Sequence, residues 1–209
     1  MKKLLIATTN PGKLLEITSF LSGLPVKLVG LKEVNILEHP EESGKTFEEN
    51  AILKAKFYAQ TSGLPTIADD GGAEIDALGG EPGVKTRRWI HKDRDSTDEE
   101  LIAHTLKKLK SIPLQNRGMQ LRAVIALALS TGKHYTATAK IRGVITLRPS
   151  PQRYPGFPFR SLMYIPTLGK FYNNDLMSPQ ENDQYNHRKR ALEELKPVIK
   201  TILTTKTAK

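Results

Sequence analysis

Apolar positions open the chain as an unbroken run, Leu4-Leu5-Ile6-Ala7, and Lys3 to Thr8 reads as a short buried strand. Asn10-Pro11-Gly12 reads as a turn, because proline fixes φ and glycine permits close backbone approach. Leu14, Ile17 and Leu21, with Phe20, recur at helical spacing from Lys13 onward, and Val26 to Val29 fits a second strand. Glu41-Glu42-Ser43-Gly44 is a polar loop or strand end. Thr46-Phe47-Glu48-Glu49 has the S/T-x-x-E spacing of a capping box and predicts a helix to about Ser62, with Gly63 suited to its exit. Pro65 to Ala68 predicts a strand that delivers Asp69-Asp70-Gly71-Gly72, and Gly79 to Gly83 a loop. Ser96-Thr97-Asp98-Glu99 reads as another capping box, with a helix to about Lys110. Leu121–Leu129 and Tyr135–Leu147 are rich in strand formers, and Thr131-Gly132-Lys133 between them suggests an antiparallel hairpin. Pro149 to Pro166 is loop-rich with many aromatics and prolines. Tyr185 to about Leu203 predicts the last helix, kinked at Pro197.

Early alternation of strand and helix followed by a hairpin argues for an α/β or α+β protein on a mixed sheet. There is no repeat, low-complexity tract or long linker, and 209 residues suffice for one large domain or two fused lobes. The apolar start stops at Thr8-Thr9-Asn10, too short for a signal sequence or a membrane span, so no membrane partner is expected. With no Cys, thiolate metal sites, disulfides and a Cys nucleophile are excluded. The absence fits a reducing compartment, and the expected location is the cytoplasm. A net charge of +10 suits an acidic partner, a nucleotide or a nucleic acid, or else reflects lysines that keep the surface soluble. Aromatics at 6 % supply a base-stacking platform poorly, so no dedicated nucleic-acid partner is expected. The Lys-rich end from Lys200 to Lys209 reads as a solvated tail.

Candidate chemistry falls in four places. Thr8-Thr9-Asn10-Pro11-Gly12-Lys13 is either an ordinary strand–helix turn or a phosphate site, where helix-start N–H groups and Lys13 meet an anion. Asp69-Asp70-Gly71-Gly72 is either an Asp-rich turn or a Mg²⁺ site, since adjacent carboxylates at a strand end need solvent, a partner or a metal. Glu41-Glu42 can add a metal ligand, and Lys54 on the following helix can reach a phosphate; the bland reading is a charged loop and a solvated helix face. Asn186-His187-Arg188 can hydrogen-bond a base edge or phosphate, or be ordinary polar residues at a helix start. His91, His104 and His134 show no paired metal-ligand spacing.

The blocks T-T-N-P-G-K, E-E-S-G-K-T-F-E-E-N-A-I-L-K-A, I-A-D-D-G-G and A-L-G-G-E-P-G-V, in this order, resemble the inosine triphosphate pyrophosphatase family. The likeness is dense from Lys2 to about Arg88 and returns at Gly156-Phe157 and His187-Arg188. It implies a single pyrophosphatase domain over residues 1–209, an α/β fold with an elongated central mixed sheet flanked by helices, and two lobes with a cleft between them. It implies a homodimer, Mg²⁺ dependence and hydrolysis of inosine, deoxyinosine or xanthosine triphosphate to the monophosphate and pyrophosphate. Carried over by position, Thr8 to Lys13 would cradle phosphates, with Thr8, Thr9, Asn10 and Gly71 against substrate. Lys54 would neutralise phosphate charge. Asp70 would hold Mg²⁺ or activate water, helped by Glu41 or Glu42. Phe157 would stack on the purine, and His187 and Arg188 would read its edge.

The chain departs from the family pattern mainly where the base would bind. Gly71-Gly72 stands for Ser-Gly, G-F-P-F-R-S at 156–161 stands for G-F-G-Y-D-P, Asn182 stands for a Lys, and Asn186 for the Ser of S-H-R. Arg160 thus puts a donor where the family has an acceptor. It would face a purine O6 or N7, pair with an acidic neighbour, or point to solvent. The reaction expected is Mg²⁺-dependent pyrophosphate release. The alternatives are a related nucleotide pyrophosphatase with another base choice, such as a modified pyrimidine, and a nucleotide- or nucleic-acid-binding protein without turnover.

Overall fold

A computed structural model describes residues 2–204. Among the described residues, seven strands form one mixed sheet in the order β2-β1-β3-β4-β5-β6-β7. They are β1 (Lys3–Ala7), β2 (Lys27–Gly30), β3 (Thr66–Ile75), β4 (Gly118–Ala128), β5 (His134–Ile145), β6 (Met163–Ile165) and β7 (Lys170–Phe171). Five α-helices accompany them among the described residues: α1 (Pro11–Leu21), α2 (Phe47–Ser62), α3 (Asp98–Lys108), α4 (Pro179–Tyr185) and α5 (His187–Thr204). β1 pairs in parallel with β2 (Leu4 opposite Leu28) and with β3 (Ile6 opposite Ile67). β6 is antiparallel to both β5 and β7. Leu4 to Ala7 are all buried, as expected of a strand inside a parallel array that is covered on both faces.

The chain divides into two compact units. One is Met1–Asp70, Ala123–Ala139 and Arg188–Lys209; the other is Gly71–Arg122 and Lys140–His187. Each has its own core. In the first, Leu4 and Ile6 of β1, Ile17 and Leu21 of α1, Ile125 and Leu127 of β4, and Leu192, Leu195 and Ile199 of α5 pack together. In the second, Ile75, Ile102, Met119, Leu121, Ile145, Phe159 and Met163 do so. Among the described residues no helix is long and apolar enough to cross a membrane.

Several expectations change. Asn10-Pro11-Gly12 is a helix start: Asn10 caps α1 and Pro11 takes the first position, where a missing N–H costs nothing. Asp69 to Gly72 form no turn. β3 runs through all four, and neither glycine takes a positive φ. The second capping box is one residue later than expected, because Thr97, not Ser96, exchanges bonds with Glu100, while the Ser96 N–H donates to the Arg87 carbonyl. The last helix, α5, begins at His187, two residues later than expected, and continues past Pro197, while a short helix not expected, α4, ends at Tyr185 just before it. Of the Lys-rich end, residues 205–209 lie outside the described residues.

Candidate active site

Lys13 stands one turn into α1, just past β1. Asn10 Oδ1 accepts the N–H groups of Gly12 (2.9 Å) and Lys13 (3.1 Å), so the amides expected to face a phosphate are already engaged. Thr8 Oγ1 accepts the Asn10 N–H at 3.2 Å, and Thr9 is exposed. The Lys13 ammonium forms an ion pair with Oδ1 of Asp69, whose side chain is fully buried. The other oxygen of Asp69 accepts Arg188 Nε at 2.9 Å, and Arg188 Nη1 donates to Glu16 at 2.6 Å. Two cations and two carboxylates are thus packed together, the condition under which buried charge is tolerated. Burial alone would push the Asp69 carboxyl up, but Arg188 and Lys13 outweigh it and hold it well below the usual range. Arg188 is likewise kept charged against its burial by Asp69 and Glu16.

The next residue has a different setting. Asp70 Oδ1 accepts Lys54 Nζ at 2.9 Å, and Glu42 Oε1 lies 3.2 Å from the same ammonium. Asp70 Oδ2 is buried and has no hydrogen-bond partner. Burial pushes the Asp70 carboxyl above its ordinary value despite Lys54 and Lys13, and Glu42 adds to the rise. Burial works against the Lys54 charge, yet Asp70 and Glu42 outweigh it and raise that pKa. Adjacent carboxylates driven in opposite directions are the pattern of one structural and one reactive group.

α2 positions this cluster. Its capping box starts the helix at Thr46, and Asn50 and Lys54, four residues apart, lie along one face. Buried Asn50 accepts the Gly44 N–H at 2.8 Å and fixes the loop that carries Glu42. A Cβ on Gly44 would lie 2.4 Å from Asn50 Oδ1, so the close approach requires glycine. Of the two candidate glutamates, Glu42 reaches Lys54; Glu41 is exposed, and its carbonyl accepts the Ser43 N–H.

The second unit gathers the residues that depart from the family pattern. Arg160 is 1 % exposed, and its guanidinium lies 4.0 Å from the Phe157 ring centre, 5.1 Å from Tyr154 and 5.2 Å from Tyr172. It does not point to solvent, because stacking on aromatic faces repays the burial of a weakly hydrated, planar cation. The Tyr172 hydroxyl is hydrogen-bonded to His187 Nδ1 at 2.7 Å, so His187 belongs to the same cluster. Buried Asn186 donates to Asn174 Oδ1 at 3.2 Å. Asn182 Nδ2 points at the carbonyls of Asn174, Met177 and Ser178, which leaves its Oδ1 buried and without a partner. Gly71 lies within β3.

Glu16, Asn50 and Gly44 were not singled out by the sequence. Glu16 carried a signal: it lies four residues before Phe20, on the edge of the helix stripe that packs against the core, where a carboxylate needs a cation.

A model of the Ham1 family matches residues 4–198. A dITP/XTP pyrophosphatase of Geobacter sulfurreducens is 39 % identical over 196 residues, covering 94 % of this chain and 96 % of that protein. One from Thermus thermophilus is 37 % identical, covering 92 % and 89 %. The solved structure of a HAM1 protein from Coxiella burnetii superposes with a TM-score of 0.80 at 32 % identity, covering 96 % of this chain and all of that one.

Proposed function

This chain belongs to the Ham1 family, and from that premise we propose that it hydrolyses non-canonical purine nucleoside triphosphates to the monophosphate and pyrophosphate. The observation that carries the reading is Asp70: a carboxylate with one oxygen on Lys54 and the other buried without a partner, beside a second carboxylate on Glu42. Binding without turnover gives no reason to hold acidic groups where they repel phosphate.

The residues fit a hard divalent cation such as Mg²⁺. Among the described residues no group of three or more His, Asp and Glu is placed to hold a metal. Two carboxylates, Asp70 and Glu42, with the remaining positions left to water and phosphate oxygens, suit Mg²⁺, which keeps several waters. When bound, the ion screens the triphosphate and lowers the pKa of a coordinated water. Lys54 neutralises charge on the phosphate chain, and Lys13, oriented by Asp69, does the same from α1. Asp70, whose Oδ2 is buried without a hydrogen-bond partner, accepts a proton from the attacking water. Water adds to the phosphoanhydride, the bond between the α and β phosphates breaks, and pyrophosphate leaves.

On the base side, the family resemblance gives Phe157 as the residue that stacks on the purine and His187 and Arg188 as readers of its edge. A second reading, altered base choice, is favoured by one contact: the Arg160 guanidinium already lies over the Phe157 ring. The family resemblance carries the homodimer and the cytoplasmic setting, which sedimentation and fractionation test. The deciding experiment is pyrophosphate release with Mg²⁺ from inosine, xanthosine, deoxyinosine, the common nucleoside and modified pyrimidine triphosphates, beside Asp70→Asn. Asp70-dependent turnover of the inosine or xanthosine substrate is expected. Turnover of another base moves the substrate and keeps the chemistry; no turnover, with salt-sensitive retention of random DNA or RNA, overturns the enzyme reading.

A further inference from the structure

The residue before Phe157 is gripped at both of its polar backbone atoms. The Gly156 N–H donates to Asp98 Oδ2 at 2.6 Å, and Arg87 Nη2 donates to the Gly156 carbonyl at 2.9 Å. Arg87 Nη1 closes the ring by donating to Asp98 Oδ1 at 2.6 Å. Both arms are anchored. Asp98 is the first residue of α3, whose capping box holds Thr97 and Glu100. Arg87 is tied to Ser96 twice, its carbonyl accepting the Ser96 N–H at 2.7 Å and its Nη1 donating to the Ser96 carbonyl at 3.3 Å. A parallel tether runs beside it, from Arg153 Nε to Glu99 Oε1 at 2.6 Å.

An ordinary surface ion pair would not select a glycine backbone as its third member. Gly156 has φ +84°, a left-handed conformation that L side chains rarely adopt, and it sets the direction in which the chain enters Phe157. Charge-assisted bonds to the two peptide units that flank Gly156 fix the ring's position through the backbone rather than through side-chain packing. We infer that Asp98 and Arg87 are positioning residues for the substrate's base, acting through Gly156 on Phe157. The inference rests on the proposed stacking of the base on Phe157. Neither residue touches the substrate; they hold the platform on which it stacks, so they govern binding rather than the chemical step.

The test is a double-mutant cycle on the full chain with inosine triphosphate. Asp98→Ala and Arg87→Ala are each expected to raise KM about tenfold with kcat nearly unchanged, the loss of roughly one charge-assisted contact. Asp98→Asn, which keeps one acceptor oxygen, recovers part of the loss. In a Phe157→Ala background, Asp98→Ala adds nothing, because the ring it positions is gone. Additive effects, or a normal KM in Asp98→Ala, overturn the inference. Thermal melts accompany each variant, and Arg87→Gln replaces any that fails to fold. A normal KM in Phe157→Ala alone sinks the stacking reading itself; a raised KM there with a normal KM in Asp98→Ala sinks only the clamp.

Discussion

Each unit buries arginine, and the two do it by different physics. In the first, Arg188 lies between Asp69 and Glu16, with Lys13 on the far oxygen of Asp69. In the second, Arg160 lies among the rings of Phe157, Tyr154 and Tyr172. The ionic cluster depends on charge count: remove one member and its partner is left buried and uncompensated. The aromatic cluster depends on shape and tolerates exchange more readily, since rings and guanidinium repack. The chain keeps the family pattern where phosphate chemistry is proposed and departs from it where base choice is proposed. That division follows the same line.

Within the first unit, the neighbours Asp69 and Asp70 should respond to substitution in opposite ways. Asp70→Asn removes the proposed proton acceptor, so kcat should fall by about 10³, within the range for a general base. Asp70→Asn should melt within a few degrees of the parent, because the substitution removes a charge that burial disfavours. Pyrophosphate release under saturating substrate reads it directly; a loss of only a few-fold would remove Asp70 from the chemical step.

Asp69→Asn should do the reverse. It leaves Lys13 without its carboxylate and Arg188 with only Glu16 of the two carboxylates that now flank it, a loss of about 3–5 kcal/mol for a broken buried pair. For a chain of this size that is a drop of about 10 °C in melting temperature. An unchanged melt would show that the cluster does not stabilise the first unit.

Next comes Gly44→Ala. The added Cβ collides with Asn50 Oδ1 and with the backbone nitrogen of the same residue, 2.9 Å away. The loop must shift, and Glu42 shifts with it. Half-maximal Mg²⁺ should rise about tenfold, the lower end for disturbing a ligand's support. A magnesium titration that overlays the parent's would take Glu42 out of the metal site.

These residues also mark how far the sequence could be read. β1, α2 with its Thr46 cap and Gly63 exit, and the two long strands followed from apolar period and capping pattern alone. The Asp69-Asp70-Gly71-Gly72 stretch did not, because local propensity favours a turn there. It continues as strand inside β3, between β1 and β4, where Lys13, Arg188 and Lys54 arrive from distant segments to match the charge of Asp69 and Asp70. The family blocks pointed to Lys13, Lys54 and Asp70 as candidates, and the fold pairs Lys54 with Asp70 and Lys13 with Asp69. The choice of Glu42 over Glu41 needed Asn50, seen only once the loop was folded back on α2. The Asp98–Arg87–Gly156 ring was hidden for the same reason, since its members are as much as 69 residues apart.

The smallest effect is expected from Arg160, and it bears most directly on substrate. A guanidinium–ring contact is worth about 0.5–2 kcal/mol, and only the part of it that differs between two bases alters their discrimination, so Arg160→Ala should change that ratio by about threefold. Arg160→Met, which keeps length and apolar contact with the rings, separates loss of the cation from loss of packing. If the guanidinium reads an oxygenated base edge, both variants should narrow the kcat/KM ratio of inosine to adenosine triphosphate while leaving Mg²⁺ dependence untouched. If instead it only fills the space among the rings, Arg160→Met should keep the parent ranking and Arg160→Ala should lower stability without changing it. A variant that loses turnover equally on every base would fit neither role.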